Sequence, residues 1–313
     1  MRIVFMGTPD FSVPALNALT EAGHEVIAVV TQPDKPKGRG KAVQMTPVKE
    51  RATALGIPVY QPLKAREESF VSLLRDLAPD AIVVIAFGQI LPKTILDIPK
   101  FGCINIHASL LPRYRGAAPL QWVVLEGESE TGITTMKMEV GMDTGDMLEK
   151  IKIPLTSGET YGSIHDKLCV LGGDLIVTTL KKIESNTIVP IPQQEEAATY
   201  TKKITKAMGD IDWSLDATVI ERLIRGLNPW PSAYTSWNGK TMKLWAADVW
   251  EMDYPGICGE VVLVDSEHLL VKTGKGTLAL RELQLEGKKR MELDAFLRGY
   301  QITKGTVFER RES

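Results

Sequence analysis

The chain is organised around the stretch Asn105-Ile106-His107-Ala108-Ser109-Leu110-Leu111-Pro112, which places two polar side chains at the end of a predicted β-strand. Successive side chains of a strand point to opposite faces, so Asn105 and His107 share one face, while Ile106 points toward a core. Polar groups at the carboxyl end of a strand are typical of the ligand crevice of an open α/β sheet. The stretch therefore predicts a buried strand that carries a binding or catalytic pair.

A carboxylate that could join this pair lies on the loop Val140-Gly141-Met142-Asp143-Thr144-Gly145-Asp146. Asn105 would then be a hydrogen-bond donor, His107 a polarising acid and Asp143 its orienting partner. The same residues also fit a packed structural histidine and a turn aspartate. Residue spacing alone leaves both interpretations open.

The residues around this stretch alternate strand and helix patterns. Apolar runs at 3–6, 26–30 and 81–87 predict strands that are buried on both faces, and the intervening segments have apolar residues at helical spacing. This alternation predicts an α/β fold with a doubly wound, mostly parallel, Rossmann-like sheet. Residues 131–138 and 147–154 predict a hairpin at one side of that sheet.

The character of the chain changes after residue 190. A helix is predicted at 161–183, which Gly172 and Gly173 could divide, and a polar, proline-punctuated run then predicts a linker. Several short strands after residue 240, separated by turn residues, predict a small β-barrel. We therefore expect a catalytic domain at 1–189, a linker at 190–206 and a C-terminal domain at 207–313.

Composition narrows the function classes. With 313 residues, 44% of them hydrophobic, the chain can form two domains with cores of their own, and a net charge of −2 means that a nucleic-acid partner would need local basic patches. Its three widely spaced cysteines predict neither a disulfide framework nor a zinc site and fit the cytoplasm. No run is long and apolar enough to predict a membrane helix. Neither glycine-rich turn near the start has the spacing of a dinucleotide or Walker motif.

Three basic patches stand out against this nearly neutral background. The first lies within residues 34–51 and the others lie at 202–206 and 288–290. The first patch fits a solvated loop equally well, because runs of charge are common on exposed loops. As contacts to an RNA backbone they would supply affinity, whereas base contacts or wedging would supply discrimination. The residues concerned are Lys35, Lys37, Arg39, Lys41, Lys202, Lys203, Lys206, Lys288, Lys289 and Arg290.

The run Asn105-Ile-His-Ala-Ser-Leu-Leu-Pro-Arg-Tyr-Arg-Gly-Ala-Ala-Pro119, with Asp143-Thr-Gly-Asp146, resembles the signature of the folate-dependent formyltransferases. Three further stretches, Phe5-Met-Gly-Thr-Pro-Asp-Phe-Ser-Val-Pro14, Gln32-Pro-Asp-Lys-Pro-Lys-Gly-Arg-Gly-Lys41 and Asn228-Pro-Trp-Pro-Ser-Ala233, are similar to the members that act on methionyl-tRNA. The similarity covers essentially the whole chain. Ala108 and Tyr114 stand where we would expect glycine and tryptophan, and neither replaces a reacting group.

This resemblance implies transfer of a formyl group from 10-formyltetrahydrofolate to the amine of methionyl initiator tRNA, for translation initiation. It implies catalysis by Asn105, His107 and Asp143, a tRNA-binding loop with Arg39 at its tip, an OB-like C-terminal barrel, and a cis Leu111–Pro112 bond. We further expect a monomer without a metal or a membrane partner. The implied folate-binding residues are Phe87, Gln89, Ile90, Leu91, Ser109, Leu110, Leu111, Pro112, Val140 and Gly141.

The chemistry that this implies needs no protein nucleophile, because a neutral amine attacks by itself. The protein would position the reactants and stabilise the oxygen on which charge develops, with Asn105 and His107 as donors. Asp143 would orient His107, favour its protonated form and take the amine's proton through a water. Alternatives are a formyltransferase for a nucleotide or sugar-nucleotide amine, a formyl-folate hydrolase, and a non-catalytic RNA-binding protein. The basic loop and the C-terminal region argue against the first of these.

Overall fold

A computed structural model describes residues 1–37 and 42–311 of the chain. The chain forms two compact units that alternate along the sequence. The first comprises Met1–Pro119, Glu130–Pro154 and His165–Thr201, and the second comprises Leu120–Ser129, Leu155–Ile164 and Lys202–Ser313.

Strands and helices alternate up to Thr201, as the sequence pattern predicts. The strands are β1 (Arg2–Gly7), β2 (Glu25–Val30), β3 (Lys35–Lys37), β4 (Ala42–Gln44), β5 (Val59–Tyr60), β6 (Ala81–Ile85), β7 (Cys103–His107), β8 (Arg115–Gly116), β9 (Glu130–Lys137), β10 (Met147–Pro154) and β11 (Tyr200–Thr201). The helices are α1 (Val13–Glu21), α2 (Pro47–Ala54), α3 (Glu68–Leu77), α4 (Lys93–Leu96), α5 (Pro119–Leu125) and α6 (Tyr161–Glu184).

The main sheet of the first unit has the strand order β10-β9-β7-β6-β1-β2-β5. Strands β7, β6, β1, β2 and β5 pair in parallel, whereas β9 is antiparallel to both β7 and β10. The predicted mostly parallel, Rossmann-like sheet is confirmed, and so is the hairpin at its side. The sheet is mixed because that hairpin continues it beyond β7.

Both faces of the central strands are covered, which explains their uninterrupted apolar sequences. Residues 3–6 of β1 are fully buried, and Val4 and Met6 pack in one core with Ile82, Phe70 and Leu74. A strand that is covered on both sides has no solvent face to require polar residues.

Helix α2 begins with two residues that are typical of a helix start. The side chain of Thr46 accepts a hydrogen bond from the backbone N–H of Lys49 at 3.1 Å, and Pro47 occupies the first turn. A threonine cap satisfies a donor that has no partner within the helix, and proline removes another.

Helix α6 runs through its two glycines without a break, contrary to the division that we allowed for. A Cβ atom at Gly172 would lie 3.0 Å from Ile133 Cδ1, and one at Gly173 would lie 3.0 Å from the carbonyl oxygen of Pro14. The glycines therefore permit close packing of the helix. Sequence pattern alone cannot separate that use from a helix stop.

The second unit is built on an antiparallel sheet. The elements are α7 (Ala217–Gly226), β12 (Ala233–Trp237), β13 (Lys240–Trp250), β14 (Val261–Val264), β15 (Leu269–Lys272), β16 (Thr277–Leu285), β17 (Met291–Glu292) and α8 (Leu293–Gly299). The strands have the order β12-β13-β16-β15-β14, with β17 beside β16. The core of this unit includes Trp213, Ile220, Leu278, Leu280 and Phe296.

Across residues 1–37 and 42–311, no helix is both long enough and apolar enough to cross a membrane.

Candidate active site

His107 is the last residue of β7 and is held from two sides. Its side chain is almost completely buried, with Nε2 at 2.9 Å from the carbonyl oxygen of Tyr114 and Nδ1 at 3.7 Å from Asp143 Oδ2. A carbonyl oxygen can only accept, so Nε2 carries a proton and donates to Tyr114. The longer distance at Nδ1 exceeds that of a direct hydrogen bond. Nδ1 therefore faces the carboxylate without a direct hydrogen bond to it.

Asp143 approaches His107 from the loop between β9 and β10. Its Oδ2 accepts a hydrogen bond of 2.8 Å from the backbone N–H of Gly116, and its φ angle of +55° lies in the left-handed region. Aspartate tolerates that region better than most residues. A Cβ atom at Gly145, two residues further on, would lie 1.7 Å from the carbonyl oxygen of Lys137, so the loop folds this tightly only with glycine there.

Asn105 lies two residues before His107 on β7 and is half-buried. In the sheet it pairs with Val84 on one side and Met136 on the other. The strand geometry directs Asn105 and His107 to the same face, as predicted. Within the described chain, the Asn105 side chain has no hydrogen-bond partner among other residues, so its amide can donate to a ligand.

The loop that follows His107 is fixed by side chains of the β9–β10 hairpin. Thr134 Oγ1 donates to the carbonyl oxygen of Ser109 at 2.7 Å and accepts from the N–H of Leu111 at 3.2 Å. Lys150 Nζ donates to the carbonyl oxygen of Leu111 at 2.5 Å, and burial lowers the pKa of this ammonium. The Leu111–Pro112 bond is cis, as the resemblance implies.

The segment between β6 and α4 is tied to the first unit through the Phe87 carbonyl and the Gln89 side chain. The carbonyl oxygen of Phe87 accepts hydrogen bonds from Thr8 Oγ1 at 3.0 Å and Gln32 Nε2 at 3.1 Å. The Gln89 amide contacts the main chain of Ala65 and Pro62.

The other residues implied to bind folate differ in their exposure. Ile90 is 90% exposed and Val140 is 74% exposed, although both are large and apolar. Exposed aliphatic groups are typical of the wall of a ligand site. Gly141 is also exposed, and Gln89, Leu110 and Pro112 are half-buried. The side chains of Phe87, Leu91, Ser109 and Leu111 are buried, so they would shape such a site from beneath or contact a ligand through their main chain.

The first basic patch is only partly described. Lys35 is exposed on the β3–β4 hairpin, whereas Gly38, Arg39, Gly40, Lys41 and the Lys37 side chain lie outside the described residues. Two cations at the edge of this patch act within the fold. Lys49 pairs with Asp34 at 2.5 Å, which lowers the pKa of that carboxyl, and Arg51 Nε donates to Asn17 at 2.6 Å.

The remaining basic residues lie in the second unit. Lys202, Lys203 and Lys206 are exposed, as are Lys288 and Lys289. Arg290 pairs with Glu282 and lies over the Trp245 ring, 4.7 Å from its centroid. Its charge is therefore partly neutralised by the protein.

One residue that the sequence does not mark contacts the loop that carries Asp143. Gln193, in the stretch predicted to be a linker, donates from Nε2 to the carbonyl oxygens of Asp143 and Gly145, both at 2.7 Å. Its Oε1 accepts from Nε of the buried Arg115 at 3.0 Å. No periodicity signals a contact between residues so far apart in the chain, and Arg115 gave no signal beyond its place in the family signature.

Comparison with known proteins identifies the family. A family model described as formyl transferase matches residues 1–180, and one described as formyl transferase, C-terminal domain, matches residues 203–301. The chain belongs to the formyl transferase family. The first match contains all three residues proposed for catalysis.

Relatives in this formyl transferase family align along nearly their whole length. A methionyl-tRNA formyltransferase of Agathobacter rectalis is 56% identical over 310 residues, covering 98% of this chain and 99% of the relative. One of Clostridioides difficile is 47% identical over 307 residues, covering 98% of this chain and 99% of the relative.

Solved structures agree on the fold at much lower identity. The sugar 3N-formyl transferase WlaRD has a TM-score of 0.67 and 16% identity, over 92% of this chain and 99% of that one. HypX of Aquifex aeolicus in complex with tetrahydrofolic acid has a TM-score of 0.64 and 19% identity, over 98% of this chain and 50% of that one. At this level of identity the similarity speaks for the fold alone.

Proposed function

We propose that this formyl transferase moves a formyl group from 10-formyltetrahydrofolate to the free amine of methionyl initiator tRNA, for translation initiation. The observation that carries the proposal is 56% identity, over 98% of the chain, to a relative named for this reaction. The His107–Asp143 geometry is what such a reaction requires. Acyl transfer to an amine needs donors at the carbonyl oxygen and an acceptor for a proton.

The donors in this mechanism are Asn105 and His107. The Asn105 amide has no partner within the described chain, and His107 Nδ1 lies 3.7 Å from Asp143 Oδ2, which is beyond a direct hydrogen bond. Because Nε2 donates to the Tyr114 carbonyl, the ring is fixed before substrate arrives. Such pre-oriented donors stabilise developing charge without reorganising during the reaction.

Asp143 has two roles in the proposal. Its carboxylate lies 3.7 Å from His107 Nδ1 and holds the orientation of that ring. A carboxylate also offers about four lone-pair positions, of which the Gly116 N–H uses one. The remaining capacity can receive the amine's proton, directly or through a water.

The folate co-substrate supplies the formyl group, and the residues present fit it. Ile90 and Val140 offer exposed apolar surface for a flat ring, beside the exposed backbone of Gly141. Gln89, Leu110 and Pro112 are half-buried and belong to the residues proposed to bind folate. The buried residues Phe87, Leu91, Ser109 and Leu111 would shape the folate site from beneath or contact the ligand through their main chain. No step of the proposed reaction calls for a metal ion.

The proposal assigns tRNA contacts to ten basic residues and an OB-like fold to the C-terminal unit. The proposed tRNA-binding residues are Lys35, Lys37, Arg39, Lys41, Lys202, Lys203, Lys206, Lys288, Lys289 and Arg290, of which Arg290 is also paired with Glu282. We propose an OB-like barrel for the antiparallel C-terminal unit, with domain limits of 1–189 and 207–313, which the two family matches support. We further propose a cytoplasmic monomer.

An assay of formyl transfer to methionyl initiator tRNA, beside methionyl elongator tRNA, tests this function. We expect transfer to the initiator and much slower transfer to the elongator. Equal rates would contradict initiator recognition. Release of formate at the same rate without any tRNA would instead identify a formyl-folate hydrolase.

A further inference from the structure

Residues 191–201, here called the strap, lie against the active-site loops within the first unit. At its start, Ile191 and Met147 exchange backbone hydrogen bonds of 2.8 and 2.9 Å. At its end, β11 pairs in parallel with β8, and Thr201 Oγ1 donates to the carbonyl oxygen of Arg115 at 3.0 Å. The strap is thus fixed on both sides of the loop that carries Asp143.

Gln193 occupies the middle of this arrangement and satisfies three polar partners. Its Nε2 donates to the carbonyl oxygens of Asp143 and Gly145, both at 2.7 Å, and its Oε1 accepts from Arg115 Nε at 3.0 Å. Only an amide can donate to two carbonyls and accept from a guanidinium at the same time. A carboxylate of equal size would face both carbonyl oxygens with lone pairs.

Arg115 fixes the orientation of the Gln193 amide. The arginine side chain is fully buried, and its Nη1 donates to Glu195 Oε2 and to the Tyr200 hydroxyl, both at 2.8 Å. Hydrogen bonds from Arg115 and then Tyr200 lower the pKa of the Glu195 carboxyl. Three residues of the strap therefore hold one buried guanidinium, which in turn determines where the Gln193 oxygen must point.

The hydrogen bonds of Gln193 and Arg115 determine the position of the Asp143 carboxylate. Asp143 has a positive φ of +55°, in the left-handed region that few residues other than glycine, asparagine and aspartate adopt. Its Oδ2 meets the N–H of Gly116, the residue after Arg115, at 2.8 Å and stands 3.7 Å from His107 Nδ1. The Arg115–Gln193 pair thus connects the loop that bears the carboxylate to the strand that bears its donor.

We propose that Gln193 is a positioning residue of the formyl transfer reaction, which holds the main chain of Asp143 and Gly145 so that the Asp143 carboxylate faces His107. It touches no reacting atom and acts through Asp143. The inference rests on the proposed function for its kinetic consequence, but the geometry that it describes can be tested without substrate.

The kinetic test compares Gln193→Ala and Gln193→Glu with Gln194→Ala, a matched exposed neighbour whose side chain makes no hydrogen bond within the described chain. Displacement of a catalytic group by about 1 Å can cost about a hundredfold in rate. We expect kcat to fall by about tenfold to a hundredfold in both Gln193 variants, with KM for folate and for tRNA within twofold of wild type. Wild-type kcat in both Gln193 variants would overturn the proposal, as would a change confined to KM.

A double-mutant cycle separates positioning from a general structural effect. If Gln193 acts through the carboxylate, Gln193→Ala should cost little further rate in an Asp143→Asn background. An equal additional loss in that background would refute the proposal.

A measurement that needs no activity completes the test. Because the Gly116 N–H donates to Asp143, its hydrogen exchange reports whether the carboxylate stays in place. We expect at least tenfold faster exchange of this amide in Gln193→Glu than in wild type or Gln194→Ala, and unchanged exchange would overturn the proposal. If the wild type transferred no formyl group, the proposed function would fail, while this exchange rate would still decide whether Gln193 positions Asp143.

Discussion

Replacement of Asp143 by asparagine removes the charge beside His107 and almost nothing else. Asparagine is nearly isosteric, tolerates the φ of +55°, and can still accept from the Gly116 N–H. At the observed 3.7 Å, two unit charges near a protein surface interact by about 4 kcal/mol at an effective dielectric constant of about 20. Each 1.36 kcal/mol corresponds to about tenfold in rate, so full loss of this term would cost up to about a thousandfold.

We therefore expect kcat of Asp143→Asn to fall by about a hundredfold to a thousandfold, measured as single-turnover formation of formylmethionyl-tRNA. The free energy of unfolding in urea should change by less than about 1 kcal/mol, because the backbone contact survives. Glu139→Gln is the control, since it removes an exposed carboxylate from the same loop. A kcat within threefold of wild type, in a folded Asp143→Asn variant, would refute the role given to this charge.

Three further predictions concern the packing, burial and ion pairing of the first unit. Gly145→Ala should lower the free energy of unfolding in urea by about 2–3 kcal/mol, because the new Cβ atom would lie 1.7 Å from the carbonyl oxygen of Lys137. Gly158→Ala is the control and should leave the urea midpoint unchanged, because no atom lies within 4 Å of its Cβ position. Burial raises the pKa of Cys103 to about 12, so iodoacetamide at pH 8 should modify the exposed Cys258 and spare Cys103, as peptide mass spectrometry would show; equal labelling would contradict the burial. The hydrogen bond from Lys49 lowers the pKa of Asp34 in the folded protein below its usual value near 3.8. The stability that this carboxylate contributes is therefore fully present above pH 3.8 and is lost as the pH falls through the lower pKa of the folded state. The stability difference between wild type and Asp34→Asn should accordingly disappear in strongly acidic urea titrations, and a difference independent of pH would contradict the ion pair.

Much of the first unit follows from local sequence patterns. The apolar runs of β1, β2 and β6 predict buried strands, because a strand that is covered on both faces has no solvent-exposed positions for polar residues. Thr46 and Pro47 predict the start of α2, because helix capping depends only on residues that are adjacent in sequence. The shared face of Asn105 and His107 also follows from strand geometry alone.

The contacts that complete the site depend on residues far apart in the chain. Gln193 lies in a polar, proline-punctuated stretch that predicts a linker, yet its amide joins Arg115 to the Asp143 loop. The glycine pair in α6 fits a helix break in sequence, and only the approach of Ile133 explains it as packing. Such outcomes depend on tertiary contacts, which periodicity and propensity do not encode.

The central claim is that His107, with Asn105 and Asp143, carries the formyl transfer, and the single-turnover rate of His107→Gln tests it most directly. We expect that rate to fall by about a hundredfold or more, as for loss of a preorganised donor, with the Kd for methionyl initiator tRNA within twofold of wild type. A rate within twofold of wild type, in a folded variant that binds tRNA normally, would contradict the account.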